Sequence, residues 1–250
     1  MTNAPGAAAS RPLLKWVGGK RQLLPELRRY YPETFNTYIE PFFGSGAVFF
    51  DLHRSGRLSG REVVLIDSNA DLIGCYDIVR RDPDAVADAL ERLEQRHHEG
   101  GRAHYYRVRD EQFNPTRAAE RHADGRIAYT PELAAMLIYL NRTGFNGLFR
   151  VNASGAFNVP AGRYAKPRIA DRSRLHEAAV ALSAPGVRLQ WGSFDGAGAI
   201  ARRGDFLYFD PPYAPLSPTS AFTSYTTPRF GAAEQRALQQ QVIDLAGRGC

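Results

Sequence analysis

Apolar positions along this chain follow three different periods in succession. Residues 37–40 and 62–66 are short β-prone runs, and the second, EVVLI, is almost continuously apolar, as a strand covered on both faces of a parallel sheet must be. Residues 47–53 between them read as a helix. Residues 83–96 and 131–141 repeat apolar side chains at helical spacing. Each opens on a proline, which a helix accepts at its first position because no intrahelical N–H is lost there. From Phe145 the pattern becomes FNGLFRVNASGAFNVPAGRY, with Asn146-Gly147 and Ser154-Gly155 as turn signals between short alternating segments. That combination predicts a β-ribbon. Strand character returns at residues 187–191 and 206–209, and residues 232–246 form a last helix.

Strand, glycine turn, helix and strand early in the chain, with strands again late, predict a doubly wound α/β fold. We expect one domain made of residues 11–75 and 172–250, interrupted by a helical plus β-hairpin insertion at 76–171, with 1–10 as a flexible N-terminus. A 250-residue chain with 44% hydrophobic and 23% charged residues can bury a sizeable core. Phe35, Phe49, Phe50, Tyr139 and Phe194 are assigned to it. No apolar run approaches the roughly 18 residues of a membrane span. The opening MTNAPGAAAS has neither a basic nor an apolar signal region, so a cytoplasmic monomer without a membrane partner is expected. Cys75 and Cys250, the only cysteines, lack metal-ligand spacing and imply a reduced compartment. His97-His98 has no Cys, Asp or Glu at metal spacing, so it is expected in solvent and no metal is expected.

A net charge of +6 suits a polyanionic partner. Lysine occurs only at Lys15, Lys20 and Lys166, with arginine at the other 29 of 32 basic positions. Two of the three lysines fall in KWVGGK, as if a compact ammonium were needed there, which makes that segment a candidate site.

In YIEPFFGSG a strand runs into a glycine turn, where Gly44 and Gly46 let backbone approach a ligand. Asp67 follows the apolar strand 21 residues after Gly46, near the spacing at which a carboxylate accepts hydrogen bonds from a ribose diol. Phe49 stands where a dinucleotide site wants a small residue, and Glu40 would repel a pyrophosphate. A cofactor with adenosine and an amino acid but no phosphate, S-adenosylmethionine, fits better than a nucleotide, because a sulfonium is attracted to acidic and aromatic neighbours. The plainer alternative is a tight turn with Asp67 capping the next helix.

FLYFDPPY places a carboxylate, two prolines and an aromatic ring at the carboxyl end of a buried strand, where open α/β sheets hold ligands. Prolines have no N–H, so nearby carbonyls remain available to accept from a ligand's amino group, alongside Asp210. Such acceptors orient an exocyclic amine, itself a poor nucleophile, toward a methyl donor. Tyr213 can stack an extruded base, a contact worth roughly 1–3 kcal/mol. Asp210, Pro211, Pro212 and Tyr213 are therefore the candidate catalytic set, against the alternative of a strand ending in a proline turn.

The phrases KWVGGK, YIEPFFGSG, LIDSN, LNRTGFNGLFR, GAFNVPAGRY and FDPPYAPLS, in this order over residues 13–240, closely resemble the Dam family of DNA adenine-N6 methyltransferases, the D12 class. The resemblance implies a Rossmann-like S-adenosylmethionine-dependent methyltransferase sheet carrying an inserted target-recognition domain. It implies that Trp16, Lys20, Glu40, Phe42, Gly44, Gly46, Asp67 and Asp210 line the cofactor pocket. It also implies duplex DNA as partner, with GATC read by the ribbon through Arg150, an aromatic wedge and polar neighbour at Phe145 and Asn146, and contacts from Lys15 and Pro160. Arginine suits guanine O6 and N7 through bidentate bonds. Phe145 stands where the family often has Tyr, and Ala153-Ser154-Gly155-Ala156 replaces charged residues. The family also continues past the last helix with another strand and a hairpin, whereas this sequence stops at Cys250. Two other classes stay open: a DNA-binding module that inspects bases without methylating them, and an amino-methylating enzyme acting on protein or RNA.

Overall fold

The computed structural model describes residues 12–16, 18–212 and 230–250. Four parallel strands, β1 (Tyr38–Glu40), β2 (Val63–Asp67), β3 (Val187–Trp191) and β4 (Phe206–Leu207), make one sheet in the order β3-β2-β1-β4. Ile39 lies opposite Val64 on one side and Leu207 on the other. The apolar run through β2 has a direct cause. Val63 and Leu65 enter the main core, whereas Val64 and Ile66 join Ile39, Ala197, Ala201 and Leu245 in a second core on the opposite face. Both faces are covered, so neither can be polar. The expected α/β, Rossmann-like sheet is present. β4 is shorter than the 206–209 run, although Tyr208 N–H still donates to the Ile39 carbonyl at 3.0 Å.

Helices α2 (Ala47–Arg54) and α8 (Gly196–Ile200) connect β1 to β2 and β3 to β4, after a single short turn, α1 (Leu24–Leu27). Between β2 and β3 lie α3 (Ala70–Arg81), α4 (Pro83–Arg107), α5 (Asn114–Ala119), α6 (Pro131–Thr143) and α7 (Arg172–Leu182), and α9 (Ala232–Gly247) follows β4. Local chemistry sets their starts. Asn69 accepts from the Asp71 and Leu72 amides, and Asp82 and Thr130 cap α4 and α6 just ahead of Pro83 and Pro131. α6 is buried all round from Leu133 to Thr143, making it the axis of the main core. α4 runs on well beyond residue 96, through polar residues and a break at Gly101 (φ 48°, ψ −127°) that carry no apolar periodicity.

The five aromatics assigned to the core, Phe35, Phe49, Phe50, Tyr139 and Phe194, are buried. His97 departs from the expectation of free exposure. It is half-buried, with Nδ1 2.8 Å from the Tyr139 hydroxyl, because α4 packs along α6 there; His98 is exposed.

The segment from Phe145 folds back antiparallel, but as isolated bridges (Gly144 with Ala161, Val151 with Phe157) rather than a continuous ribbon. Asn158 N–H still donates to the Arg150 carbonyl at 3.0 Å and Asn152 N–H to the Ala156 carbonyl at 2.9 Å, but other backbone groups are taken by helix side chains. Asn114 brackets Phe157, accepting its N–H at 2.8 Å and donating to its carbonyl at 3.0 Å. The Val159 carbonyl accepts from Tyr105 Oη at 2.9 Å and from Arg109 at 3.0 Å. The turn is held by Arg117, which donates to the Gly155 carbonyl at 2.5 Å while gripping Asp71 through two bonds of 2.6 and 2.8 Å. Tyr129 Oη also donates to Asp71 at 2.9 Å. Arg117 and Asp71 are buried, so removing one partner strands the other's charge out of water. Arg117→Met is expected to destabilise the protein by about 3–5 kcal/mol. Arg172→Met, which breaks only exposed pairs with Asp84, Asp88 and Glu91, should have a far smaller effect. Urea unfolding of both variants checks this, and equal effects would refute the ranking.

Candidate active site and nucleic-acid interface

Strand order determines where a ligand can sit. From β1 the chain moves through β2 to β3 on one side and then returns to place β4 on the other, so the order reverses beside β1. The crevice outside the carboxyl ends of strands at such a reversal is where open parallel sheets bind ligands. Three adjacent strands deliver carboxylates there: Glu40 ends β1, Asp67 ends β2, and Asp210 lies three residues past β4.

Glu40 is buried at 2% exposure. Tyr38, two residues earlier and so on the same strand face, donates its hydroxyl to Glu40 at 2.8 Å. The Phe49 N–H in the first turn of α2 also donates to it. Burial pushes the Glu40 acid up to about 8, and the neighbouring Asp210 and Asp67 charges act in the same direction against those hydrogen bonds. Asp67 accepts the Gly44 N–H at 2.9 Å and the Asn69 N–H at 2.8 Å, while burial pushes it up to about 6. Asn69 rather than Asp67 caps α3, so the Asp67 carboxylate belongs to the glycine turn.

That turn requires its glycines. Gly44 and Gly46 have φ of +49° and +67°, and a Cβ on Gly46 would overlap the Phe43 and Phe50 rings. A Cβ on Gly44 would come within 3.1 Å of the Trp16 indole, so Trp16 lies directly on the turn. On the far side of the crevice Lys20 pairs with Asp210 at 2.5 Å and donates to the Gly18 carbonyl at 2.7 Å, joining KWVGGK to DPP. Burial raises the Asp210 acid, opposed by Lys20. Phe42 stacks on Phe194 (5.4 Å, 23°), and Phe230 packs edge-on against both. The predicted cofactor residues Trp16, Lys20, Glu40, Phe42, Gly44, Gly46, Asp67 and Asp210 are thus brought near one another around the carboxyl ends of the strands. Pro211 is half-buried and Pro212 exposed beside it, while Tyr213 lies outside the described residues. With Asp67 ionised and Glu40 ionising as pH rises through about 8, the carboxylates outnumber the single Lys20 ammonium, which favours a cationic ligand and repels phosphate. Among the described residues no group of three or more His, Cys, Asp or Glu is placed to hold a metal.

The candidate DNA residues gather at the base of the folded-back segment. Phe145 is 47% exposed, and its N–H donates to the carbonyl of exposed Pro160 at 2.9 Å. Asn146 has φ +52° and is the only non-glycine with positive φ among the described residues. Arg150 donates to Asn158 Oδ1 at 2.8 Å across the fold. The Lys15 ammonium lies 4.3 Å from the centre of the Tyr164 ring.

Several residues of the site were not singled out from sequence. Tyr38 could have been found from its spacing to Glu40. Sequence assigns no role to Phe149, stacked on Trp16 at 5.9 Å, and assigns Phe194 only to the core. Asn141 and Arg142 are polar residues that α6 buries, at 3% and 5% exposure. Arg142 donates to the Leu13 and Arg168 carbonyls at 3.1 and 3.2 Å, and its burial pulls the guanidinium down to about 10.

Comparison with known proteins identifies the family. Residues 16–246 match the family described as D12 class N6 adenine-specific DNA methyltransferase. The type II methyltransferase M1.LlaDCHI of Lactococcus lactis subsp. cremoris is 39% identical over 241 residues, 96% of this chain and 78% of that protein. The type II methyltransferase M.MjaIII of Methanocaldococcus jannaschii is 37% identical over 248 residues, covering 96% and 81%. The DNA adenine methylase of Escherichia coli K12 is 36% identical over 239 residues, covering 96% and 78%.

Burial of Glu40 has a measurable signature. The folded state holds the Glu40 proton up to about pH 8 against an ordinary value of 4.5, so its contribution to stability is complete below the ordinary value and lost as pH rises through 8. Glu40→Gln removes that titration. Thermal melts at pH 5 and 8.5 should show the variant gaining on the wild type as pH rises, and a pH-independent difference would contradict the assignment.

Proposed function

This chain belongs to the D12 class of N6 adenine-specific DNA methyltransferases, and we propose that it methylates N6 of a flipped adenine within duplex GATC, using S-adenosylmethionine bound at the β1 and β4 strand ends. The observation that carries the reading is the convergence of Glu40, Asp67 and Asp210 at the strand reversal, with the Lys20–Asp210 pair joining two distant motifs. Such a crevice suits a ligand with an ammonium, a sulfonium and a ribose diol, with the Trp16 ring packed on the glycine turn beside it.

S-adenosylmethionine supplies an electrophilic methyl group on sulfur. Asp67 would accept from the ribose hydroxyls, and Glu40 and the aromatic rings of Trp16 and Phe42 would favour the cationic end, beside the turn that Gly44 and Gly46 hold at positive φ. Asp210 and the Pro211 carbonyl accept from the adenine amine and aim its nitrogen lone pair at the methyl carbon, with Pro212 and Tyr213 bounding the base. Transfer of that methyl to N6 would break the S–C bond, release S-adenosylhomocysteine and pass the displaced N6 proton to water, while Asp210 and the Pro211 carbonyl hold the amine in place. This assigns catalysis to residues 11–75 and 172–250 and DNA recognition to the insertion at 76–171. Phe145 enters the helix beside the target with Asn146, Arg150 exchanges Asn158 for guanine, and Lys15 and Pro160 complete the contact.

Incubation with labelled S-adenosylmethionine and matched duplexes, one with GATC and one scrambled, tests the whole reading. Label on N6-adenine in the GATC duplex alone is expected. Label on both removes the role given to Arg150, and label on neither despite cofactor binding leaves a DNA-binding module. Asp210→Ala should lower turnover by about a hundredfold or more, the scale on which misplaced reacting groups are felt. Affinity for S-adenosylmethionine should rise as pH increases through about 6 to 8, because Asp67 and Glu40 ionise there. Calorimetric titration across that range checks the sign.

A further inference from the structure

Asn141 is a polar residue at the end of the apolar run of α6, 3% exposed, and all the hydrogen-bonding capacity of its amide protons is used. Oδ1 accepts the Lys15 N–H at 2.8 Å, and Nδ2 donates to the Lys15 carbonyl at 2.7 Å and to the Gly147 carbonyl at 2.9 Å. The first two bonds grip both polar groups of one peptide residue, much as a neighbouring strand would, and fix the Lys15 backbone. The third fixes the turn that carries Phe145 and Asn146. Gly147 sits so close to this strand of chain that a Cβ there would overlap the Lys15 side chain. Trp16, the next residue along, lies on the Gly44 turn and stacks on Phe149 of the folded-back segment. One continuous path of contacts therefore runs from the Asp67–Gly44 bond through Trp16 and Lys15 to Asn141 and the Phe145–Gly147 turn.

We propose that Asn141 is a positioning residue that couples the two sites: it locks the Lys15-Trp16 segment to the Phe145–Gly147 turn, so that filling the cofactor crevice strengthens DNA binding and DNA strengthens cofactor binding. The inference rests on the proposed function, since it takes the crevice as the cofactor site and the turn as a DNA contact. Coupling of this kind is reciprocal by thermodynamic necessity. A ligand pressing on Trp16 at Gly44 restrains Lys15, and through the Asn141 amide it restrains the turn that must enter the duplex. Substitution should uncouple the sites while leaving each able to bind alone, which a residue needed only for folding would not do.

The test uses S-adenosylhomocysteine, which binds without reacting, titrated calorimetrically into the full chain with and without a saturating GATC duplex. In the wild type the duplex should tighten S-adenosylhomocysteine by at least about fivefold, the lower end of usual coupling. Asn141→Ala should bring that ratio to within about twofold of one, with S-adenosylhomocysteine affinity in the absence of DNA changed far less than the ratio. Asn141→Asp, which keeps the shape and the Oδ1 acceptor but loses both Nδ2 donors, should do the same and decides the matter if the first variant does not fold. A wild-type ratio of one, or a ratio preserved in a folded variant, overturns the proposal while leaving the function intact. Failure of the wild type to bind the duplex at all would instead sink the proposed function.

Discussion

The position of β1 in the sheet is the constraint on which the rest of this structure depends. Because β1 lies between β2 and β4, and the strand order reverses beside it, three carboxylates far apart in sequence end side by side. Desolvation of Glu40 at the centre follows, and the Tyr38 hydroxyl and the Phe49 amide of α2 compensate for it. The glycine turn after β1 is the companion requirement. Without positive φ at Gly44 and Gly46 the chain could not turn from strand to helix under the Trp16 ring with the Asp67 carboxylate on its amide.

Charge is segregated to suit two kinds of partner. The chain carries +6 overall, nearly all through arginine, yet its crevice is acidic. A positive exterior raises the local concentration of a polyanion, while clustered carboxylates make a phosphate-bearing ligand unwelcome in the pocket and a cationic one welcome. Lys20 tempers this field where it is strongest by pairing with Asp210, which also draws the N-terminal segment over the crevice.

The folded-back segment is held by the helices as well as by its own cross-fold backbone bonds. Asn114, Tyr105, Arg109 and Arg117 satisfy backbone groups that a regular ribbon would pair internally, and Phe149 and Phe157 extend the main core beneath it. Its exposed side therefore presents Phe145 and Arg150 from a supported platform, and the strained Asn146 conformation persists because its surroundings hold it.

Sequence by itself determined the class of fold, the strands, the glycine turn and the carboxylates, because each rests on local chemistry: a continuous apolar run, a helix-opening proline, a glycine where no Cβ fits. It also specified the family through ordered motifs. It did not determine the length of α4, whose polar second half has no period to read, or the state of the folded-back segment, whose bridges are broken by distant side chains. His97 looked solvated because nothing nearby in sequence announces Tyr139. The roles of Asn141, Arg117 and Phe149 were equally hidden. A buried polar or aromatic side chain reveals only that it needs partners, and those partners lie 126 residues away for Asn141 with Lys15 and 46 for Arg117 with Asp71. Only the tertiary structure supplies them, since hydrogen bonds and ring contacts act over a few ångströms of space regardless of separation along the chain.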